Sequence, residues 1–224
     1  MIYIIIAALV ALFGPHLWAG YVLNRYNRQE YFSGSGIDLA RLALERLDLK
    51  DVTVEVTNTA DHYDPLQKTI RLTENTCGRK TLTAVVVAAH EVGHAIQDQT
   101  GYKPLTTRTR MIGTAQKVER IGAVIMMAMP VLAALTRAPS VGILMFFGGL
   151  GTLGVPVLVH LLTLPTEFDA SFNRALPLLS TESYIPPEDI PAAKKILLAC
   201  ALTYVANSLI GLLNVWRWIR ILRR

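Results

Sequence analysis

The run at residues 83–98 constrains this chain more than any other stretch: Thr83-Ala84-Val85-Val86-Val87-Ala88-Ala89-His90-Glu91-Val92-Gly93-His94-Ala95-Ile96-Gln97-Asp98. It reads as a helix, and residues 90–94 within it have the form H-E-x-x-H. Two histidines four residues apart leave a helix about 40° apart, so both imidazoles share one face. That spacing lets two nitrogens hold one zinc ion. Glu91, on the adjacent stripe, can reach a water beside the metal without ligating it. Zinc lowers the pKa of a water to roughly 7, and a nearby carboxylate can take its proton as it attacks a peptide carbonyl. Five residues can match such a pattern by chance. The rest of the chain must therefore supply what the chemistry still lacks, a third ligand and a fold that brings it to the histidines.

The 224 residues are 52% hydrophobic and 17% charged, and the apolar ones come in long runs. Such a composition predicts a membrane protein with a modest polar part. The formal net charge of +5 does not point to nucleic acid. The basic residues flank apolar segments and form no stripe with interleaved aromatics. Cys77 and Cys200 belong to no C-x-x-C pair, which argues against a cysteine zinc site and against a disulfide framework.

The expected architecture is a mainly α membrane protein, with about four transmembrane helices and a zincin-like α+β catalytic part made of a small sheet plus the H-E-x-x-H helix. Residues 1–23 read as an N-terminal transmembrane anchor, without the basic n-region or cleavage site of a signal peptide. Residues 24–120 read as the catalytic part. There, Ile37, Leu39, Ala40, Ala43, Leu44 and Leu47 have helical spacing behind Ser35 or Asp38 as cap. Val52, Val54 and Val56 alternate with polar residues as a strand with one buried face. Asp61-His62-Tyr63-Asp64-Pro65 is turn-rich, and residues 66–72 read as a second strand. Residues 121–164 read as a transmembrane hairpin, and residues 165–195 as a segment on the same side of the bilayer as the motif helix. Residues 196–224 read as a last span with an aromatic and basic tail. The lipid bilayer is thus an expected partner. More basic residues near span ends lie on the catalytic side, among them Arg25, Arg28, Arg108 and Arg110, than on the other. That distribution predicts a cytoplasmic catalytic part.

The same-side segment runs Leu164-Pro165-Thr166-Glu167-Phe168-Asp169-Ala170-Ser171-Phe172-Asn173-Arg174. Catalytic zinc takes three protein ligands and keeps a position open, and His₂Glu is a usual set. Glu167 is the candidate third ligand, early in a helix expected to start at Pro165. Asp169 is the rival. Two positions on in a regular helix it points about 200° away, so one of the two can ligate but not both. Zinc-bound imidazoles are commonly oriented by outer partners, and Asp98 and Asp169 are candidates for that role. Residues 61–64 either shape a cleft where a peptide adds to a strand edge or form a plain turn. His62 is a candidate extra ligand. Arg174, Tyr184 and Tyr204 are candidate donors to a tetrahedral oxyanion.

Three motifs in order carry a family resemblance: Asp61-His62-Tyr63-Asp64-Pro65, the run from His90 through Gln97-Asp98 to Tyr102, and Leu164-Pro165-Thr166-Glu167-Phe168-Asp169-Ala170-Ser171. They closely resemble the bacterial membrane-bound neutral zinc metallopeptidases of the YugP-like family, over nearly the whole chain. Ala201-Leu202-Thr203-Tyr204 is similar too. More distantly, the layout is similar to HtpX-like membrane gluzincins, whose late glutamate is the third zinc ligand and maps by resemblance onto Glu167. Those proteases carry an acidic residue four positions beyond that glutamate, where this chain has Ser171.

The expected function is a membrane-anchored zinc endopeptidase in the bacterial cell membrane, acting on a protein or peptide substrate. One Zn2+ per chain would be held by His90, His94 and Glu167, with Glu91 as general base. One alternative is an intramembrane protease, but no L-D-G-like aspartate motif is present on a later span. Another is a catalytically silent, zinc-stabilised scaffold or partner-binding protein, which would have no need of the Glu91 carboxylate.

Overall fold

A computed structural model of the chain describes residues 2–28, 30, 32–136, 139–181 and 184–211. The order of elements is α1 (Ile2–Tyr26), α2 (Gly36–Arg46), β1 (Thr53–Thr57), β2 (His62–Asp64), β3 (Thr69–Thr73), α3 (Glu74–Cys77), α4 (Leu82–Gln99), α5 (Lys103–Thr136) and α6 (Pro139–Phe168). A π-helical segment (Asp169–Ala175), α7 (Leu176–Thr181), a 3₁₀ turn (Pro187–Asp189) and α8 (Ile190–Gly211) follow. The fold is mainly helical with one small sheet. The chain divides into two compact units, one of Met1–Phe13, Thr107–Thr163 and Tyr204–Arg224, the other of Gly14–Thr106 and Leu164–Thr203. The first is helical throughout its described residues. The second holds the sheet, α2, α4 and the π-helical segment, and every candidate site residue except Tyr204.

In the second unit the local signals act as their chemistry requires. Ser35 caps α2, its backbone N–H and hydroxyl both donating to Asp38 Oδ2 at 2.9 and 2.8 Å. These bonds, the backbone one foremost, hold the Asp38 carboxyl below its usual range. Leu39, Ala40, Ala43 and Leu44 then bury the inner face of α2. The sheet has the order β1-β3-β2, with β3 parallel to β1 and antiparallel to β2. Central β3 buries Ile70 and Leu72 completely. Edge strand β1 departs from the expected buried face, since Val56 is 55% exposed. The turn-rich stretch 61–65 contains β2, which pairs Tyr63 with Ile70. Asp64 makes the turn out of β2, accepting from the N–H groups of Leu66 and Gln67.

The centre of the unit is α4. Thr81 caps it, Oγ1 accepting from Ala84 N–H at 3.2 Å. Every residue from Leu82 to Ala95 is buried, so α4 is wrapped on all sides and its apolar first half is core. Two backbones press against it where glycine stands. At Gly36 of α2 a Cβ would collide with the carbonyl oxygens of Thr76 and Ala84, and at Gly93 of α4 it would stand 2.5 Å from Ala170 O.

The membrane expectation is corrected. Among the described residues no helix is long and apolar enough to cross a membrane. That overturns the expected four spanning helices, and the integral-membrane placement with a cytoplasmic catalytic part falls with them. Part of the apolar surface in these runs is packed into protein. Ala19 and Val22 of α1 and Ala193, Ile196, Leu197, Ala199 and Cys200 of α8 belong to the buried core. The first half of α5 carries Arg108, Arg110, Lys117, Glu119 and Arg120. An unbroken apolar run suits a helix wrapped by protein as well as one wrapped by lipid. The basic tail at residues 212–224, and Arg137 in the expected hairpin turn, lie outside the described residues.

Two glycines give opposite expectations. In a helix interior Ala is favoured over Gly by roughly 1 kcal/mol, while overpacking a tight contact costs about 1–3 kcal/mol. Gly93→Ala drives a methyl into backbone, so the clash outweighs the helix gain and the melting temperature falls by several degrees. Gly113→Ala in α5, where an added Cβ meets nothing within 4 Å, leaves melting unchanged or raises it by about 2–4 °C. Thermal unfolding of the two variants checks the pair.

Candidate metal centre

Helical periodicity places His90 and His94 on one stripe of α4, and the packed core makes that stripe face inward. Their rings are edge to face, with centroids 4.8 Å apart. Glu167, from the last turn of α6, meets them. Its Oε2 lies 3.2 Å from His94 Nε2 and 3.4 Å from His90 Nε2. All three side chains are 2% exposed, and their ligand atoms lie within 4.8 Å of one another. His90 Nε2 is buried and has no hydrogen bond. Two imidazole nitrogens and a carboxylate oxygen converging from different elements form a donor set that fits a zinc ion. Glu91, the next residue on α4, is 3% exposed.

The candidate third ligand arrives differently from the sequence expectation. No helix starts at Pro165. Instead α6 runs through Pro165 to Phe168 and then widens into the π-helical segment. π-Helical turns are rare and concentrate at functional sites. The segment carries Asp169, Ser171 and Arg174. Asp169 Oδ2 accepts from Gln97 Nε2 at 2.8 Å and Oδ1 from Asn173 at 2.9 Å, and Arg174 Nε stands 3.4 Å from Oδ2. Burial pushes the Asp169 carboxyl up, but the bonds from Gln97 and Asn173 and the Arg174 charge outweigh it. The group is held below its usual range.

Two residues absent from the sequence expectations contact the imidazoles. Gln97 Oε1 is 3.0 Å from His94 Nδ1, while Gln97 Nε2 reaches Thr166 O at 2.9 Å. Ser171 Oγ is 3.0 Å from His90 Nδ1 and donates to Leu197 O of α8 at 3.1 Å. Both lie at helical spacings that a sequence reader can check, three residues after His94 and four after Glu167. Ser171 occupies the place where the more distant resemblance leads one to expect an acid, and its hydroxyl makes the imidazole contact.

The remaining candidates sit elsewhere. Asp98 accepts from Tyr63 OH at 2.8 Å, tying β2 to the end of α4 instead of facing a histidine. Burial first, and then that bond to Asp98, pushes the Tyr63 hydroxyl well above its usual pKa. His62 is on β2 with Nδ1 2.7 Å from Ala60 O, and it is not among the three clustered ligands. Asp61 accepts from Thr73 N–H and Thr76 Oγ1 at 2.6 and 2.9 Å, and Asp64 pairs with Arg71 at 3.0 Å. These contacts join β2 to β3 and to the start of α3. Arg174 faces Asp169, and the Arg46 guanidinium lies over the Tyr184 ring, 5.2 Å from its centroid. The Tyr204 side chain lies outside those described. Cys200 on α8 is buried, and that burial, then the charges of Glu91, Asp61 and Glu167, push its thiol far up. It stays a neutral, buried thiol.

Known proteins resemble this chain along nearly its whole length. The chain is 34% identical over 219 residues, 95% of its own length and 93% of the relative's, to the "Putative membrane protease YugP" of Bacillus subtilis (strain 168). No solved structure matches it. A family model described as "Putative neutral zinc metallopeptidase" matches residues 1–223, and the chain belongs to that family.

Proposed function

We propose that this chain is a zinc-dependent endopeptidase of the gluzincin type, with His90, His94 and Glu167 as metal ligands and Glu91 as general base. The observation that carries the reading is the convergence of three buried ligand groups from α4 and α6, with Glu91 buried beside them on α4. Zinc held there supplies Lewis acidity, which polarises a scissile carbonyl and makes water a competent nucleophile near neutral pH. The residues of the chain do the rest. Glu91 accepts the proton of the attacking water and later returns it to the leaving amine, each transfer requiring a carboxylate that is aimed but not itself a ligand. Its place next to His90, about 100° round the helix, keeps it off the ligand stripe. The buried walls of α4 and α8 exclude bulk water, which strengthens every charge interaction inside.

An extended peptide is the fitting substrate. β2 is an edge of the sheet and is fastened to α4 through Tyr63 and Asp98. A substrate strand added along β2 would be held by backbone hydrogen bonds beside the motif helix. A site that only stabilised structure would have no use for a buried glutamate next to its ligands.

Two variants separate binding from chemistry. Glu91→Gln should keep one zinc per chain by metal analysis and lose cleavage of an unfolded-protein mixture by about 10²–10⁴-fold. Equal cleavage by both forms would remove Glu91 from the reaction. Saturating zinc should raise the melting temperature of the metal-stripped protein. At one hundred times the dissociation constant the gain is about 2.7 kcal/mol, roughly 5–10 °C for a chain of this size. Glu167→Gln should lose most of that rise, as scanning calorimetry with and without zinc would show.

A further inference from the structure

Gln97 and Ser171 contact the histidines on the ring nitrogens that face away from Glu167, and their own hydrogen bonds decide which atom carries each proton. Ser171 has one hydroxyl proton, and Leu197 O, which can only accept, takes it at 3.1 Å. Toward His90 Nδ1, 3.0 Å away, the serine oxygen is therefore an acceptor, and Nδ1 must hold the proton. Gln97 presents its amide nitrogen to two acceptors, Thr166 O at 2.9 Å and Asp169 Oδ2 at 2.8 Å. Its oxygen is thus the atom against His94 Nδ1 at 3.0 Å, so that nitrogen too must hold a proton. Both rings are left with Nε2 as the lone-pair nitrogen, on the side where Glu167 Oε2 lies at 3.2–3.4 Å.

We propose that Gln97 and Ser171 are positioning residues that fix His90 and His94 in the Nδ1–H tautomer and aim both Nε2 lone pairs at the metal position before any metal arrives. The inference rests on the metal-site reading above. Each relay ends on the backbone of another element, His90 through Ser171 to α8 and His94 through Gln97 to the last turn of α6. The ring orientations are thereby tied to the packing of three helices and not to the rotamers of α4 alone. Gln97 is fully buried and so is Ser171, so water does not compete for either imidazole proton. Both acceptors are neutral, an amide and a hydroxyl. A carboxylate in either place would raise ligand basicity further at the cost of a second buried negative charge beside Glu167. Asp169 supplies its charge one bond farther out, through Gln97.

The test is imidazole nitrogen NMR on the metal-free, full-length protein labelled with ¹⁵N-histidine. It is run at about pH 8.5, above the ordinary histidine range. The rings are assigned by single His→Gln replacements of His16, His62 and His160. The expected pattern for both His90 and His94 is a protonated Nδ1 and an unprotonated Nε2. Any other pattern on either ring in the wild type overturns the proposal. Zinc affinity, from competition with a chromophoric chelator, is the second readout. Ser171→Ala and Gln97→Met, checked for folding by circular dichroism, should each weaken zinc by about 10–100-fold and shift the nitrogen signals of one histidine only. Variants that fold and bind zinc within threefold of wild type would also overturn it, with the metal site intact. If the wild type itself binds no zinc, the metal-site reading fails, and the positioning claim fails with it.

Discussion

At Gly93 the backbone of α4 comes so near the backbone of the π-helical segment that an added Cβ would stand 2.5 Å from Ala170 O. Gly93 lies between Glu91 and His94, and Ala170 between Glu167 and Ser171. The contact is therefore flanked on both sides by residues of the site. At this separation short side chains suffice, so a serine hydroxyl reaches an imidazole and a glutamate in the neighbouring turn reaches both. Widen the gap by the thickness of a methyl group and Ser171 falls short of His90 first, having the shortest reach. The third letter after His90 in H-E-V-G-H thus has a packing role as definite as the chemical roles of its neighbours.

The π-helical geometry is the counterpart of that approach. Regular helix continuing from Phe168 would send residues 167 and 169 about 200° apart. In the structure Glu167 meets the histidines while Asp169 accepts from Gln97, so both carboxylates serve the same face of α4. In regular geometry one of Glu167 and Asp169 can ligate but not both. Glu167 is the one that lies with the histidines. Asp169 is held near the site by Gln97.

What was legible in the sequence follows the range of the interactions. His90, Glu91 and His94 are placed by one helical turn and could be read directly, while Ser35 and Asp38, read as alternative caps, act together in one capping box. Gln97 has one partner within a helical turn, but the other partners of Gln97 and Ser171 are 26, 69, 72 and 81 positions away. Only the tertiary fold shows which spacing matters. β2 was hidden because three residues carry no periodicity and its pairing with β3 is what makes it a strand. The apolar runs misled for a different reason. Hydropathy measures how much a helix avoids water, and α8 avoids it by packing Ile196, Leu197 and Cys200 into the core around α4.

The site's energetics bear on why its supports are so extended. Glu167 puts a carboxylate at 2% exposure against two imidazoles whose proton-bearing nitrogens are turned away from it. Taking a carboxylate out of water costs several kcal/mol unless a positive charge offsets it. Removing solvent from the imidazole nitrogens adds to that cost. A divalent cation at the proposed site would offset both, which would link its binding to the stability of the second unit. The scaffold around the candidate ligands is built from other contacts. α4 is capped at Thr81 and wrapped in core on every side, and β2 is fastened to it through Tyr63 and Asp98. None of these contacts involves a ligand, so the unfavourable part of the structure stays confined to a few buried atoms that the fold already holds in place.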